Sequence, residues 1–404
     1  MLALRLVRGA HPAVLCRRLL LAAAAGGVGF LLLSALAYAV DHPGGGQPAV
    51  LRLAWCAVPL LATLELAAVI ARSEPAVGSR PGLTVVGVGP AKSAALAATS
   101  TALTALLGSL LALLFFLLLR GDFEGLPLNG AAAGVLPEGE PLPPGAALTL
   151  LSIAPACSAA AAALALRRGR ASRRRPPAAP PGGAEGADIA AVTRAEPELP
   201  VPNGLPWGTA LCGSGIALSG YAGMDPAAEA DGWLPLSGTL GGTTPGVLGG
   251  WVLMVAGLVL AAPGVVHLCG LLLAAGRPGV LRLLAGRVLQ EEAHRVGRPM
   301  GALCAASAAV LVLADLDGLG QFGPLGHLGL GIVLVCALAA VATAADEARS
   351  ARRPATTLLL RLGASRGLLR GAALTRIATL LAVFVPLTWL AAQLMALPTG
   401  AGLG

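Results

Sequence analysis

The chain has 404 residues, of which 56% are apolar and only 12% are charged, and its mean hydropathy is +0.79. Soluble globular proteins carry roughly 25% charged residues, and disordered chains are poor in hydrophobic residues. The composition excludes both classes for most of the chain and predicts an all-α polytopic membrane protein.

A membrane-spanning helix needs about 20 mainly apolar residues. Nine segments meet this need, and the weakest is the fifth, which is rich in Gly and Ser. In chain order the predicted spans are 19–40, 51–70, 93–119, 146–166, 205–223, 247–275, 300–314, 328–345 and 371–394. The basic stretch 1–18 is interpreted as the entry to the first span and not as a signal peptide, because the apolar run behind it is too long.

The distribution of basic residues predicts the orientation of these spans. The net charge is +8, and 25 of the 28 basic residues fall in segments that share one side of the membrane. Because basic residues favour the cytoplasmic side, we expect a cytoplasmic N-terminus and, after nine spans, an extracytoplasmic C-terminus in the plasma membrane. Omitting the fifth span would move the arginines at 277–298 outside, so the same rule supports keeping it.

The spans predict four regions. Residues 1–166 contain the first bundle of four spans, and 167–204 form a basic linker whose Arg, Pro, Gly and Glu content predicts disorder in the cytoplasm. Residues 205–275 form an intervening two-helix hairpin, and 276–404 contain a second bundle of three spans.

Two segments that precede long spans are similar to each other. A shift of 274 residues aligns Gly89 and Lys92 with Gly363 and Arg366, and it also aligns the short apolar stretches before them. Each segment predicts an amphipathic helix along the inner membrane face, a turn, and a helix that enters the bilayer. A similar interfacial stretch is expected at 277–298, at the start of the second bundle.

The segment 360–370 reads LRLGASRGLLR and resembles a signature of FtsX-like ABC transporter permeases, in their duplicated, actinobacterial-type form. The resemblance implies a permease subunit that pairs with a separate dimeric cytoplasmic ABC ATPase and exports or extracts a lipid, a peptide or a similar substrate. The family usually has a large extracytoplasmic domain and a tenth span, whereas the first outer loop here is only 41–50. The resemblance assigns coupling to the ATPase to the following residues: Gly89, Lys92, Leu362, Gly363, Ser365 and Arg366.

The sequence contains no phosphate-binding loop of the GxxxxGK[ST] type, and Lys92 is its single lysine. ATP hydrolysis is therefore expected on a partner chain, and we predict no catalytic residue, cofactor, metal site or nucleic-acid partner here. The five His and seven Cys are scattered singly, so they do not indicate a metal cluster.

Polar side chains inside spans are candidate functional groups because burying them is costly. Glu65 lies in the second span and Arg376 lies just inside the ninth. A pair between them is one hypothesis, and the other is that Glu65 is protonated or hydrogen-bonded inside its own bundle. The expected partners are a cytoplasmic ATPase and membrane lipid. Two alternatives to a permease subunit stay open. One is a membrane scaffold or cell-division factor with no ATPase, and the other is a proton-coupled transporter, which would need more intramembrane acids than Glu65.

Overall fold

The computed structural model describes residues 12–42, 46–73, 90–121, 142–174, 204–223, 245–275, 279–315, 324–363 and 365–399. Within these ranges the chain forms nine α-helices and one short 3-10 turn, Leu397–Thr399. The helices are α1 Pro12–Asp41, α2 Gly46–Ser73, α3 Pro90–Arg120, α4 Pro144–Arg174, α5 Gly204–Gly223, α6 Pro245–Ala274, α7 Val280–Asp315, α8 Pro324–Arg361 and α9 Arg366–Ala396. The predicted all-α polytopic fold is confirmed.

By length and composition seven of these helices could cross a membrane, and α5 and α7 are not among them. The apolar content of α5 is lowered by Gly, Ser, Trp and Tyr, and the long uncharged stretch of α7 covers only 299–314. The crossing of the membrane by α5 and α7 therefore stays a prediction.

The helices pack in two groups that α8 connects. In the first group α3 and α4 lie against α1, and α2 lies against α1 and α4. In the second group α6 lies between α5 and α7, and α9 lies against α7. The eighth helix contacts α1 and α2 on one side and α7 on the other. This packing does not test the predicted division into four regions, which stays a prediction.

Small residues allow the closest helix crossings, as is common in membrane proteins. A Cβ atom added to Gly208 of α5 would lie 2.7 Å from the carbonyl oxygen of Gly257 on α6. A Cβ added to Gly270 of α6 would lie 2.8 Å from the carbonyl oxygen of Gly286 on α7. The sixth helix thus touches a neighbour through backbone atoms on two sides.

The structure differs from the sequence prediction where helices approach the inner face. The segments 277–298 and 353–362 were expected to be separate helices along the membrane surface, and this is wrong: α7 begins at Val280 and α8 runs without interruption to Arg361. The fourth helix likewise extends to Arg174, so the predicted linker begins inside it. The apolar runs end earlier than the helices do, and on α7 the buried residues Ala285, Leu289 and Ala293 continue one face past the apolar run.

Candidate functional site: the inner stalk

The first polar contact at the inner ends joins α1, α2 and α8. Arg17 of α1 forms an ion pair with Asp346 of α8, and its guanidinium also donates to the hydroxyl of Ser73, at the end of α2, over 3.2 Å. The inner ends of α1 and α2 therefore lie level with Asp346, the first charged residue after the apolar part of α8.

The second polar contact joins α7, α8 and α9 through Glu292. One carboxylate oxygen lies 2.6 Å from Nε of Arg352 on α8, and the other accepts a hydrogen bond of 3.4 Å from Nη1 of Arg376 on α9. The Glu292 side chain is only 16% exposed. The carboxylate is held between two guanidinium groups by ion pairing, although Oε1 of Glu292 and Nε of Arg376 have no hydrogen-bond partner among the described residues. This cluster joins three helices to one another.

Burial raises the pKa of Glu292, and the guanidinium groups of Arg352 and Arg376 act against that rise. Desolvation always disfavours the charged form of a carboxyl group, whereas nearby cations favour it. The ionised state of Glu292 therefore depends on both arginines.

Beyond these contacts four helices continue as a bundle that we call the inner stalk: 263–274 of α6, 280–298 of α7, 346–361 of α8 and 366–381 of α9. The register is fixed by three contacts between neighbouring helices. Gly297 of α7 lies against Pro263 of α6, Glu292 pairs with Arg352 and Arg376, and a Cβ added to Gly371 would lie 2.7 Å from Leu281. The eighth helix extends 15 residues past Asp346, or about 22 Å at 1.5 Å per residue.

The base of the stalk coincides with the inner end of α5. Gly204, the first residue of α5, lies beside Leu260 of α6, and Leu205 lies beside Gly264. One turn further along α5, Trp207 is 72% exposed. Exposed tryptophans concentrate at the membrane–water interface, so Trp207 places that interface near Pro263 of α6, at the level where the stalk begins.

At the other end, the α8–α9 turn gives two residues of the LGASR segment, Gly363 and Ser365, a structural reason. Gly363 ends α8 with φ of 94°, a left-handed conformation that favours glycine. Ser365 caps α9 and accepts a 3.2 Å hydrogen bond from the backbone N–H of Leu368. The segment is therefore a helix stop followed directly by a helix start.

We call 358–370 the stalk tip, and it combines exposed leucines with arginines. Leu362 is 76% exposed, and Leu358 and Leu360 are also exposed. Arg361, Arg366 and Arg370 are exposed as well. Arg366 is the first residue of α9, where a positive charge opposes the helix dipole. The positive charge of Arg366 therefore does not stabilise α9 through the helix dipole.

The stalk as a whole is strongly basic. Its four segments contain eleven arginines against four carboxylates, Glu291, Glu292, Asp346 and Glu347. Large apolar side chains are exposed between these charges, among them Leu272, Leu283 and Leu374. A surface of exposed apolar and basic side chains is suited to binding an acidic partner or anionic lipid.

The residues predicted to couple to an ATPase have different positions in this structure. Leu362, Gly363, Ser365 and Arg366 lie together at the stalk tip. Gly89 lies outside the described residues, and only the backbone of Lys92, in the first turn of α3, is described.

The hypothesis of a pair between Glu65 and Arg376 is wrong. Arg376 binds Glu292 on α7, whereas Glu65 lies 4.0 Å from Arg72 at the inner end of its own helix. The reason is the packing, since α9 lies against α7 and α2 lies against α1, α4 and α8.

Sequence reasoning missed Glu292 and Arg352. One signal was present in the sequence: Glu292 lies on the same helical face as Val288 and Val296, four residues before and after it. A carboxylate in an apolar stripe indicates a buried partner of opposite charge. The identity of that partner follows only from the contact between α7, α8 and α9.

Within the described ranges, no group of three or more His, Cys, Asp or Glu side chains could hold a metal ion. No protein-family model matches the chain, and neither a curated protein nor a solved structure is similar to it. The function is therefore argued from the stalk and from the sequence.

Proposed function

We propose that the chain is the membrane-spanning subunit of an ABC-type transporter, with a cytoplasmic ATPase that docks on the stalk tip. The exposed leucines and arginines of the tip carry the proposal, because exposed apolar side chains beyond the membrane indicate a binding surface. The resemblance of 360–370 to FtsX-like permeases falls on the same residues. The transported substrate would be a lipid, a peptide or a similar molecule.

The rigid connection of the tip to the helices supports a coupling role. A partner that moves Leu362 displaces the ends of α8 and α9 together, since a short turn joins them. The Glu292 cluster joins both helices to α7. Movement at the tip would thus reach the membrane through three helices rather than one.

The test is affinity purification of the full chain from detergent-solubilised native membranes, followed by mass spectrometry. We expect a soluble ATPase with a phosphate-binding loop to co-purify, and its ATPase rate to rise with the permease in lipid. Leu362→Asp is expected to reduce its recovery about tenfold or more, since a buried apolar contact becomes a buried charge. The matched control is Leu397→Asp, an exposed leucine at the opposite end of α9, which should leave recovery unchanged.

A second pair of variants separates docking from coupling. Gly363→Ala strains the turn because of its positive φ, whereas Gly367→Ala affects a helical residue, and an added Cβ meets nothing within 4 Å at either position. We expect only Gly363→Ala to reduce stimulation of the ATPase, with membrane levels of both variants unchanged. Recovery of division or cell-wall proteins without an ATPase, or full recovery of the ATPase with Leu362→Asp, contradicts the proposal.

A further inference from the structure

A second basic surface lies at the base of the stalk, about 12 Å or more from the tip along α8 at 1.5 Å per residue. It consists of His294, Arg295 and Arg298, all exposed on α7, and we call it the α7 basic face. Residues three and four apart on a helix are neighbours, so these three side chains can reach one ligand. Glu291 is exposed one turn closer to the tip, and Glu292 beside it pairs with Arg352 and Arg376. Glu291 is therefore the one exposed carboxylate against the two arginines over these two turns.

The depth of this face is set by α6. Gly297 lies against Pro263, so Arg298 is level with the membrane interface that Trp207 indicates. From this level to Ala274 the sixth helix carries no Asp, Glu, Lys or Arg and exposes Leu268, Leu271 and Leu272. These leucines lie on the side of Pro263 that faces away from the bilayer core, so the cationic surface of α7 alone lies at the depth of the lipid headgroups.

The electrostatics of the face agree with an anionic ligand from outside the chain. The pKa of His294 is lowered by burial and by the positive charges of Arg298 and His267. Burial is the larger cause of the lowered pKa of His294, and the smaller contribution of Arg298 and His267 is the part that reflects positive charge at this face. In contrast, the cationic groups Arg352 and Arg376 one turn away are compensated by Glu292.

We propose that the α7 basic face binds the phosphate of an anionic phospholipid of the inner leaflet. Guanidinium groups donate paired hydrogen bonds to phosphate oxygens, and basic residues near an anionic leaflet each strengthen binding. Two arginines in one helical turn thus give a defined headgroup site. This inference needs only a membrane protein and does not depend on an ATPase partner.

The experiment is native mass spectrometry of the full chain, purified in detergent and exchanged with vesicles of equal phosphatidylglycerol and phosphatidylcholine. We expect retained phosphatidylglycerol on the unmodified chain and about a tenfold loss or more with Arg295→Gln/Arg298→Gln. Arg295→Lys/Arg298→Lys preserves the charge but not the paired hydrogen bonds, so it should lose part of the binding and retain more than the Gln variant. Size-exclusion profiles of all variants report folding, so the Lys variant keeps the test valid if the Gln variant does not fold.

The matched control is Arg361→Gln/Arg366→Gln, which removes the same charge at the stalk tip and should leave lipid retention unchanged. Equal loss with this control would show attraction to net charge alone and would overturn the site. Displacement of the lipid by millimolar inorganic phosphate would indicate a site for a free anion and would also overturn it. Retention of phosphatidylglycerol by a folded Gln variant is the third contrary result.

Discussion

At the scale of single residues, Glu292 has more consequence for stability than its neighbour Glu291, although the two are adjacent in sequence. Glu292→Gln would leave Arg352 and Arg376 partly buried without their counter-charge. Removing one member of a buried ion cluster is more damaging than replacing the whole cluster with apolar groups. We expect Glu292→Gln to lower the free energy of unfolding in detergent by about 3 kcal/mol, the lower end of the range for such losses.

The control for this prediction is Glu291→Gln, which removes the same charge from an exposed position. Surface charges contribute about 0–1 kcal/mol, so this variant should unfold close to the unmodified chain. Thermal unfolding followed by circular dichroism compares the two variants under identical detergent conditions. Equal stability of both variants would show that the cluster does not fix α7, α8 and α9.

At the scale of helices, the close crossing of α5 and α6 depends on particular glycines. The sequence shows that these helices are rich in glycine but does not show which glycines lie at the crossing. Gly208→Leu would place a Cβ 2.5 Å from the backbone nitrogen of Ala261 and 2.7 Å from the oxygen of Gly257. Overpacking of a core costs about 1–3 kcal/mol, and the upper end applies because backbone atoms cannot move aside. We expect loss of thermal stability and of the monodisperse peak in size exclusion.

Gly213→Leu is the matched control in the same helix. An added Cβ at Gly213 meets nothing within 4 Å, so a leucine there points away from the packed face and should be tolerated. A destabilised Gly213→Leu variant would indicate that a large side chain lowers stability at any position of α5. The close crossing with α6 would then not be the cause of the effect at Gly208.

The pattern of buried side chains in α3 and α9 also supports the internal repeat of the sequence. Exposed and buried positions of α3 and α9 coincide at an offset of 275, one residue from the offset of 274 that aligns the turns. Four buried pairs show this agreement: Ala97 with Ala372, Ser109 with Phe384, Phe116 with Ala391, and Arg120 with Met395. Since one residue rotates a helix face by about 100°, side-chain burial fixes the register more finely than sequence similarity.

At the scale of the molecule, apolar runs were sufficient to predict where helices lie, because about 20 apolar residues in a membrane protein must form one. They were not sufficient to predict where helices end. Pro299 and Pro354 lie inside α7 and α8, so the stalk continues through residues that usually interrupt helices. The partner of Arg376 was unpredictable for a related reason, since it depends on which helices touch.

The register of the helices also bears on the number of membrane crossings. The outer end of α5, Gly223, lies beside Pro398 after α9, whereas its inner end lies beside Leu260, at the base of the stalk. The fifth helix thus runs alongside the apolar part of α6, although it is less apolar itself. This packing favours nine crossings and puts residue 398 on the side opposite the stalk tip.

Cysteine labelling of whole cells tests this arrangement directly. In a Cys16→Ser background, Tyr221→Cys, at a position 81% exposed, and Leu362→Cys, at a position 76% exposed, report the two ends. If α5 crosses the membrane and the N-terminus is cytoplasmic, a membrane-impermeant maleimide labels Tyr221→Cys in intact cells and Leu362→Cys only after permeabilisation. Labelling of both residues from the same side would leave α5 without a crossing, and labelling of Leu362→Cys in intact cells would put the stalk outside, where no cytoplasmic ATPase could reach it.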